Sequence, residues 1–568
     1  MVSDTVVVGR SATGRIALVS VGPDAVPSGA TEIDVDALAD AVSTREGAGE
    51  VRWVWADTSA TYPRLLAAGV RVARAWDLRL VHAILCQAQA LTDDHGLRDA
   101  TQWEADSAVP AVGDTLFDLG DSASGVPDSA DAAVAEYRRQ VAAITSSETP
   151  GALRLLCAAE SAGALISAEL HAAGVPWSRA AHEELLEGEL GARRGGGLPV
   201  RIEQAAVTVR AALGDPSASL DSQPRLLRSL HRAGLMVQST SRWELAEHDH
   251  PAVAPLIAYK KLMRLYTANG WAWLDEWVRD DRFRPVYVPA GVVTGRWASS
   301  GGGALQIPRS LRTAVRADPG WTLVTADVAQ LEPRVLAAMA RDTALGEAAS
   351  GRDLYAGIVE RGAVASRAEA KLAMLGAMYG ATTGESGRLL PRLRRTFPRA
   401  MQLVDDAART GEEGGVVHTW LGRTSPLAGE SWRELQSRAS DAAASGVDET
   451  RARRSARDRG RFTRNFIVQG TAAEWALAWL ADLRARLAAL PEVDAARAAP
   501  ASGAVFGRAP HLAFFLHDEI VVHTPLEHAE AVAEAVRESA ASAGRLLFGT
   551  FPIDFPLDLR VGQTAEKG

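Results

Sequence analysis

The run "LAFFLHDEIVV" (512–522) sets two adjacent acids, Asp518 and Glu519, between two β-prone apolar stretches. Burying both carboxylates within one strand is expensive. The run therefore predicts a hairpin with a tight turn at the acids. A second stretch, "LVTADVAQLEPRVLAAMA" (323–340), begins as a strand, stops at Asp327 and continues as an alanine-rich helix. Each acid has an ordinary reading: Asp327 as a helix cap, the His-Asp-Glu triplet as an exposed hairpin tip. The pair constrains the fold far more than either member. If the two strands are neighbours, a sheet must be assembled from segments nearly two hundred residues apart, with a large helical insertion between them. Like charges that converge need a cation. Oxygen ligands with few other donors favour Mg²⁺, and two such ions suit phosphoryl or nucleotidyl transfer.

A third stretch lies inside that insertion. In "SRAEAKLAMLGAMYGATTG", Arg367, Lys371, Leu375 and Tyr379 are spaced by four and lie along one slowly drifting stripe of a helix. The charged end suits a triphosphate and the Tyr379 end suits a sugar and base. An ordinary solvated helix end is the competing reading of the basic pair. Gly380 allows a close approach or a helix end.

The 568 residues are too many for one ordinary core. Two cysteines, Cys86 and Cys157, provide neither a disulfide framework nor a zinc cluster, and fit a reducing compartment. The first twenty residues lack the pattern of a secretory signal, and no apolar run is expected to approach membrane length. A cytoplasmic monomer is the resulting expectation. The net charge of −9 argues against simple nucleic-acid binding. Its distribution matters more, because "RLLPRLRRTFPR" (388–399) and "RARRSARDRGRFTR" (451–464) are dense in arginine. Each is equally readable as a solvated helical face.

Residues 1 to about 90 alternate short β-type and helical runs, an α/β pattern. Residues 91–130 look like a loop. From 131 to 282 the pattern is helical, with Trp271, Trp273 and Trp277 expected in its core. From 283 β-type runs return, followed by the helical region and the late hairpin.

With these pieces in order, the chain resembles the DNA polymerase I family (family A) over roughly residues 255–568. "TADVAQLEPRVLA" resembles the first palm motif, "RAEAKLAMLGAMYG" the fingers helix and "LHDEIVV" the second palm motif. "TGRWASSGGGALQIP" and "RFTRNFIVQGTAAEW" resemble segments beside the primer terminus and template. The resemblance implies an α+β multidomain chain. A ribonuclease-H-like, exonuclease-like domain (1–130) would precede a helical connector and thumb (131–282). The palm's first part (283–345), fingers and helical palm segments (346–500) and the palm's second part (501–568) would follow. Asp327 and Asp518, helped by the Val328 carbonyl, would bind two Mg²⁺, with Glu519 beside them. Arg367 and Lys371 would grip the phosphates of a dNTP, Lys371 serving as proton donor. Tyr379 and Glu332 would close the sugar pocket, with Gln330, Leu375 and Tyr355 around it. Arg296, Gln306, Arg461, Asn465, Gln469 and His517 would contact primer–template DNA by shape rather than sequence.

The match has departures. Leu375 stands where the family has Phe or Tyr, Tyr355 where it has His, and Pro333 where it has Leu. Proline restricts its predecessor, which would hold Glu332 at the helix entrance rather than inside the first turn and alter ribonucleotide discrimination. The first strand, "VVVGRSATGRIALV", lacks the Asp-x-Glu of a proofreading site, Thr61 falls where an acid is expected, and only Asp57 and Asp77 remain. An inactive exonuclease-like domain follows from this, and a chain of this length leaves no room for a 5′-nuclease domain. The competing readings are a polymerase with a working exonuclease and a non-catalytic primer–template binding protein.

Overall fold

The computed structural model describes residues 4–49, 51–104, 125–193, 195–303, 307–351, 353–380, 384–441 and 445–566. Gln306 and the middle of the anticipated 91–130 loop lie outside them. The chain forms two compact units. The first comprises 1–174, 285–305 and 318–563, the second 175–284, 306–317 and 564–568.

In the first unit, β1 (Asp4–Arg10), β2 (Ile16–Val21), β3 (Pro27–Ile33), β4 (Val51–Trp55) and β5 (Arg74–Asp77) form a sheet in the order β3-β2-β1-β4-β5. The first three strands are antiparallel neighbours, while β4 and β5 run parallel to β1. Both faces of the central strands are buried, because Val7 and Val54 join one apolar cluster and Val6, Val8, Trp53 and Trp55 another. The helices Ala130–Ser146 and Pro150–Ala173 complete those clusters. They belong to this unit rather than to the helical segment 131–282, since periodicity marks a helix but not the core it joins. Pro150–Ala173 also corrects the expectation about apolar runs. Its 24 residues, with a mean hydropathy of 1.3 in their most apolar stretch, are long and apolar enough to cross a membrane. Here the helix is mostly buried because it contacts both clusters: Leu156, Cys157 and Ile166 are fully buried, and the buried Glu160 and Glu169 are paired with Arg423 and Arg484.

The second unit packs the helices Arg179–Leu190, Val200–Ala212, Gln223–Arg232 and Val253–Asn269 around Leu186, Ile202, Leu230 and Leu256. Its small sheet has β8 (Arg282–Phe283) between β6 (Val175–Pro176) and β7 (Val278–Arg279). Trp271 and Trp273 are core residues as expected, with Trp273 packed against Trp177, His182 and Phe283, whereas Trp277 is only half-buried.

The rest of the first unit holds the hairpin β9 (Val286–Val288) and β10 (Ala298–Gly301), then β11 (Trp321–Val328), β12 (His511–Leu516), β13 (Glu519–Pro525) and β14 (Leu557–Gly562). The last four form one antiparallel sheet in the order β12-β13-β11-β14. Strands far apart in sequence are therefore neighbours. The insertion between β11 and β12 is helical and includes the 43-residue helix Gly446–Ala488, followed by the short helix Gly503–Phe506. Its core gathers Leu336, Leu354, Met374, Met378, Phe397 and Phe466.

Candidate active site

The hairpin at the acids is as tight as a chain allows. The Asp518 N–H donates to the Leu516 carbonyl at 2.6 Å across His517, which has a φ of +56°. This is a γ-turn, a strained geometry for a non-glycine residue. The turn is half-buried and Glu519 is buried, so it is no exposed tip. Tyr287 braces it: its hydroxyl donates to the Phe515 carbonyl at 2.9 Å and accepts from the Phe515 N–H at 3.2 Å.

The β11/β13 register then brings the acids together. Asp327 is the direct cross-strand partner of Glu519, and the Val328 N–H donates to the Asp518 carbonyl at 2.9 Å. On the other side of β11, Asp327 faces Asp558. Residues directly opposite share a face of a sheet, and like charges there are unfavourable without compensation. The three carboxylates thus stand in a row across β13, β11 and β14, and Asp558 is paired with Arg560 at 3.2 Å.

Beside the acids is a cleft of about 200 Å³, lined among others by Arg296, Gln330, Glu332, Tyr355, Leu375, Tyr379, His517 and Asp518. Glu332 is its hub. The Tyr379 hydroxyl donates to Glu332 Oε2 at 2.8 Å, and the Arg296 guanidinium forms an ion pair with the same carboxylate. Burial and the Glu332 charge push the Tyr379 hydroxyl up to about 12. Burial and the Arg296 charge hold the His517 imidazole down at about 4, which leaves it neutral at pH 7.

The helix Leu331–Met339 corrects one expectation. Glu332 lies inside its first turn, with Pro333 next. The first four amides of a helix have no partner within it, so proline is tolerated there and does not expel Glu332. The sharp change of direction falls instead on Gln330, whose φ of 51° and ψ of 50° are left-handed. The fully buried Arg334 holds that turn, donating to the Ala329 and Ala349 carbonyls at 2.9 Å each and to Asp554 Oδ1 at 2.9 Å.

The helix Arg367–Tyr379 presents its predicted stripe. Arg367, Lys371 and Tyr379 are exposed and Leu375 is half-buried, while Ala370, Ala373, Met374 and Ala377 face the core. Ser366 caps the helix by accepting from the Glu369 N–H. Asp353 was not legible as a site residue. It caps the helix Leu354–Glu360, accepts both Arg367 Nη2 at 2.8 Å and Nε at 3.2 Å, and accepts Gln330 Nε2 at 3.1 Å. The Arg367 guanidinium also lies 5.6 Å from the centre of the Tyr355 ring. A lone Asp before a helix reads only as a cap, and its partners come from two other elements.

Arg461, Asn465 and Gln469 lie one turn apart on the helix Gly446–Ala488. Gln469 accepts from the Thr294 hydroxyl at 3.0 Å and reaches Tyr379. Asn465 Oδ1 has no hydrogen-bond partner among the described residues. Arg461 is exposed and pairs with Asp458 on its own helix. Asp327, Val328, Glu519, Arg367, Lys371, Arg461, Asn465 and Gln469 lie outside the cleft lining, to which the β12–β13 hairpin contributes Phe515, His517 and Asp518.

In the N-terminal sheet, Asp57 and Asp77 are buried helix caps. Asp57 accepts from the Ser59 N–H and pairs with Arg79; Asp77 accepts from the Leu80 and Thr58 N–H groups. Burial and the neighbouring Asp57 charge raise Asp77 to about 6.

The profile described as DNA polymerase family A matches residues 226–566. This chain belongs to DNA polymerase family A. Among curated relatives, DNA polymerase I of Chloroflexus aurantiacus is 28% identical over 61% of this chain and 36% of its own length. The thermostable DNA polymerase I of Thermus aquaticus is 26% identical over 58% of this chain and 38% of its own length. The matches thus span little more than a third of those relatives. The fold is similar to that of the POL domain of Pol1 from M. smegmatis, solved in complex with DNA primer-template and dNTP. That likeness has a TM-score of 0.66 at 19% identity and covers 99% of this chain and 95% of that one. Within this family A chain, Pro333, Tyr355 and Leu375 all line the cleft, with Tyr355 buried beneath Arg367, so all three departures bear directly on the pocket.

Proposed function

We propose that the chain is a template-directed DNA polymerase that adds deoxynucleotides to a primer 3′-hydroxyl, in DNA repair or replication. The observation that carries this is the β11/β13 register. It pairs Asp327 with Glu519 and joins Val328 to Asp518, and Asp518 lines the cleft where Tyr379 bonds Glu332. Asp327 and Asp518, with the Val328 carbonyl, would hold two Mg²⁺, which would acidify the 3′-hydroxyl and offset charge on departing pyrophosphate. Arg367, oriented by Asp353, binds the triphosphate as a bidentate donor. Lys371, one turn along the same exposed stripe, donates a proton to the leaving pyrophosphate. The Glu332–Tyr379 pair fills the space a 2′-hydroxyl would need. Arg296, Gln469, Asn465, Arg461 and neutral His517 contact the primer–template. A binding protein would need no row of carboxylates, which favours catalysis over the non-catalytic reading.

The N-terminal sheet is read as an exonuclease-like scaffold without nuclease activity, because Asp57 and Asp77 are committed to helix caps and Arg79. The free thiols Cys86 and Cys157 support a reducing, cytoplasmic setting.

Primer extension with Mg²⁺, on matched and mismatched 3′ ends, tests both readings. Extension is expected with the wild-type chain, and chelation or Asp518→Ala should reduce it by about a thousandfold or more. Extension that survives Asp518→Ala sinks the polymerase assignment. Metal-dependent removal of the mismatched nucleotide would show a working nuclease.

A further inference from the structure

His82 and Cys86 lie one turn apart on the helix Leu78–Gln87 and share a face. His82 Nε2 and Cys86 Sγ are 3.2 Å apart. The Glu104 carboxylate completes a triangle, with the three candidate ligand atoms all within 4.8 Å of one another. Glu104 is exposed, Cys86 half-buried and His82 fully buried, so among the described residues the cluster grades from the core to solvent.

The histidine is already oriented. Its Nδ1 lies 2.8 Å from Glu136 Oε1 on the helix Ala130–Ser146, and both side chains are completely buried. Glu136 is held in turn by Gln140 Nε2 at 2.8 Å and Arg139 Nη1 at 3.1 Å, and Gln140 accepts from Trp76 Nε1 at 2.8 Å. A carboxylate oxygen accepts, so the contact places a proton on Nδ1, and in the neutral Nδ1–H tautomer the Nε2 lone pair faces the cysteine. A carboxylate behind the far nitrogen is the arrangement that fixes a metal-binding histidine.

We propose that His82 Nε2, Cys86 Sγ and a Glu104 carboxylate oxygen bind a zinc-class divalent cation, with water in the fourth position. A mixed N, S and O set suits borderline-soft zinc and not Mg²⁺. Tetrahedral zinc places such ligands roughly 3.3–3.8 Å apart, so with all three atoms within 4.8 Å any adjustment of exposed Glu104 is at most about 1.5 Å. On binding, the Cys86 S–H bond breaks, its proton goes to solvent, and the thiolate forms the metal–sulfur bond. The ion would tie the segment before residue 105 to the helix Leu78–Gln87. The two cysteines exclude a multi-cysteine cluster but not a site that uses one.

Co²⁺ is the probe, because a thiolate ligand produces a near-ultraviolet charge-transfer absorption that the carboxylates around Asp327 cannot. Full-length chain stripped with chelator is expected to show this absorption at a one-to-one ratio, and Zn²⁺ should abolish it by displacement. Cys86→Ser should eliminate it and Cys157→Ser should preserve it. Glu136→Gln should weaken Co²⁺ affinity about 10- to 100-fold. No absorption in the wild-type chain, or absorption that survives Cys86→Ser, overturns the proposal. Zn²⁺ should also raise the melting temperature of the wild-type chain and not of Cys86→Ser, and an equal rise in both overturns it too. Neither readout depends on polymerase activity.

Discussion

Glu332 draws together the most chemistry at the scale of single residues. It accepts from Tyr379, pairs with Arg296 and sits one residue past the start of its helix. Removing it unlocks Tyr379 and leaves Arg296 without its carboxylate partner. Glu332→Ala is expected to lower selectivity for dNTP over rNTP at least about tenfold, or 1.4 kcal/mol in relative transition-state binding. Pro333→Leu should change selectivity less, because Glu332 already occupies the first turn with proline in place. Competitive single-nucleotide incorporation measures both, and a larger effect from Pro333→Leu would return the discrimination to the proline. The Glu332–Tyr379 pairing was legible as two pocket residues in two recognisable motifs. Asp353 and Arg334 were not, since their importance lies in partners on other elements.

At the scale of elements, the helix Arg367–Tyr379 has a start and a stop that its sequence announces. Ser366 caps one end, and Gly380 at the other has a left-handed φ of +74°. Gly380 is constrained twice over, because a Cβ there would lie 2.5 Å from Arg461 Cγ on the long helix. Gly380→Ala is expected to cost about 1–2 kcal/mol from the backbone alone. It should also push apart the two helices that carry Tyr379 and Arg461. Urea unfolding together with the KM for primer–template checks this, and a variant unchanged in both would show that the junction tolerates a methyl group. The four-residue spacing was sufficient to predict the exposed stripe, because helix geometry alone determines which residues share a face. What the stripe faces was not encoded in that spacing.

At the scale of the molecule, a buried polar network joins the helix Pro150–Ala173 to the helix Gly446–Ala488. Glu160 pairs with Arg423, while Glu474 accepts from the Leu421 N–H at 3.0 Å and from the Thr419 hydroxyl. Complete burial raises Glu474 from 4.5 to about 7. The folded state therefore holds this proton more tightly than the unfolded state. The stabilisation is full below about pH 4.5 and is lost as pH rises towards 7, by about 3 kcal/mol in all. Urea midpoints across this window should fall more steeply for the wild-type chain than for Glu474→Gln, whatever the absolute stability of the variant. Parallel curves would remove Glu474 as the titrating group.

The sequence by itself determined the local elements and the types of residue available: the hairpin at Asp518, the strand ending at Asp327, the helical stripe and the α/β pattern of the N-terminal region. These follow from burial cost, side-chain period and turn geometry, all of which act over a few residues. Only the tertiary structure decided that β11 pairs with β13 so that Asp327 meets Glu519, that Pro150–Ala173 is a core helix of the first unit, and that Asp353 aims Arg367. It also decided that Glu136 stands behind His82. The physical reason is common to all four: strand register and side-chain pairing are settled by burial against distant segments, and a periodic pattern specifies a face without specifying its partner.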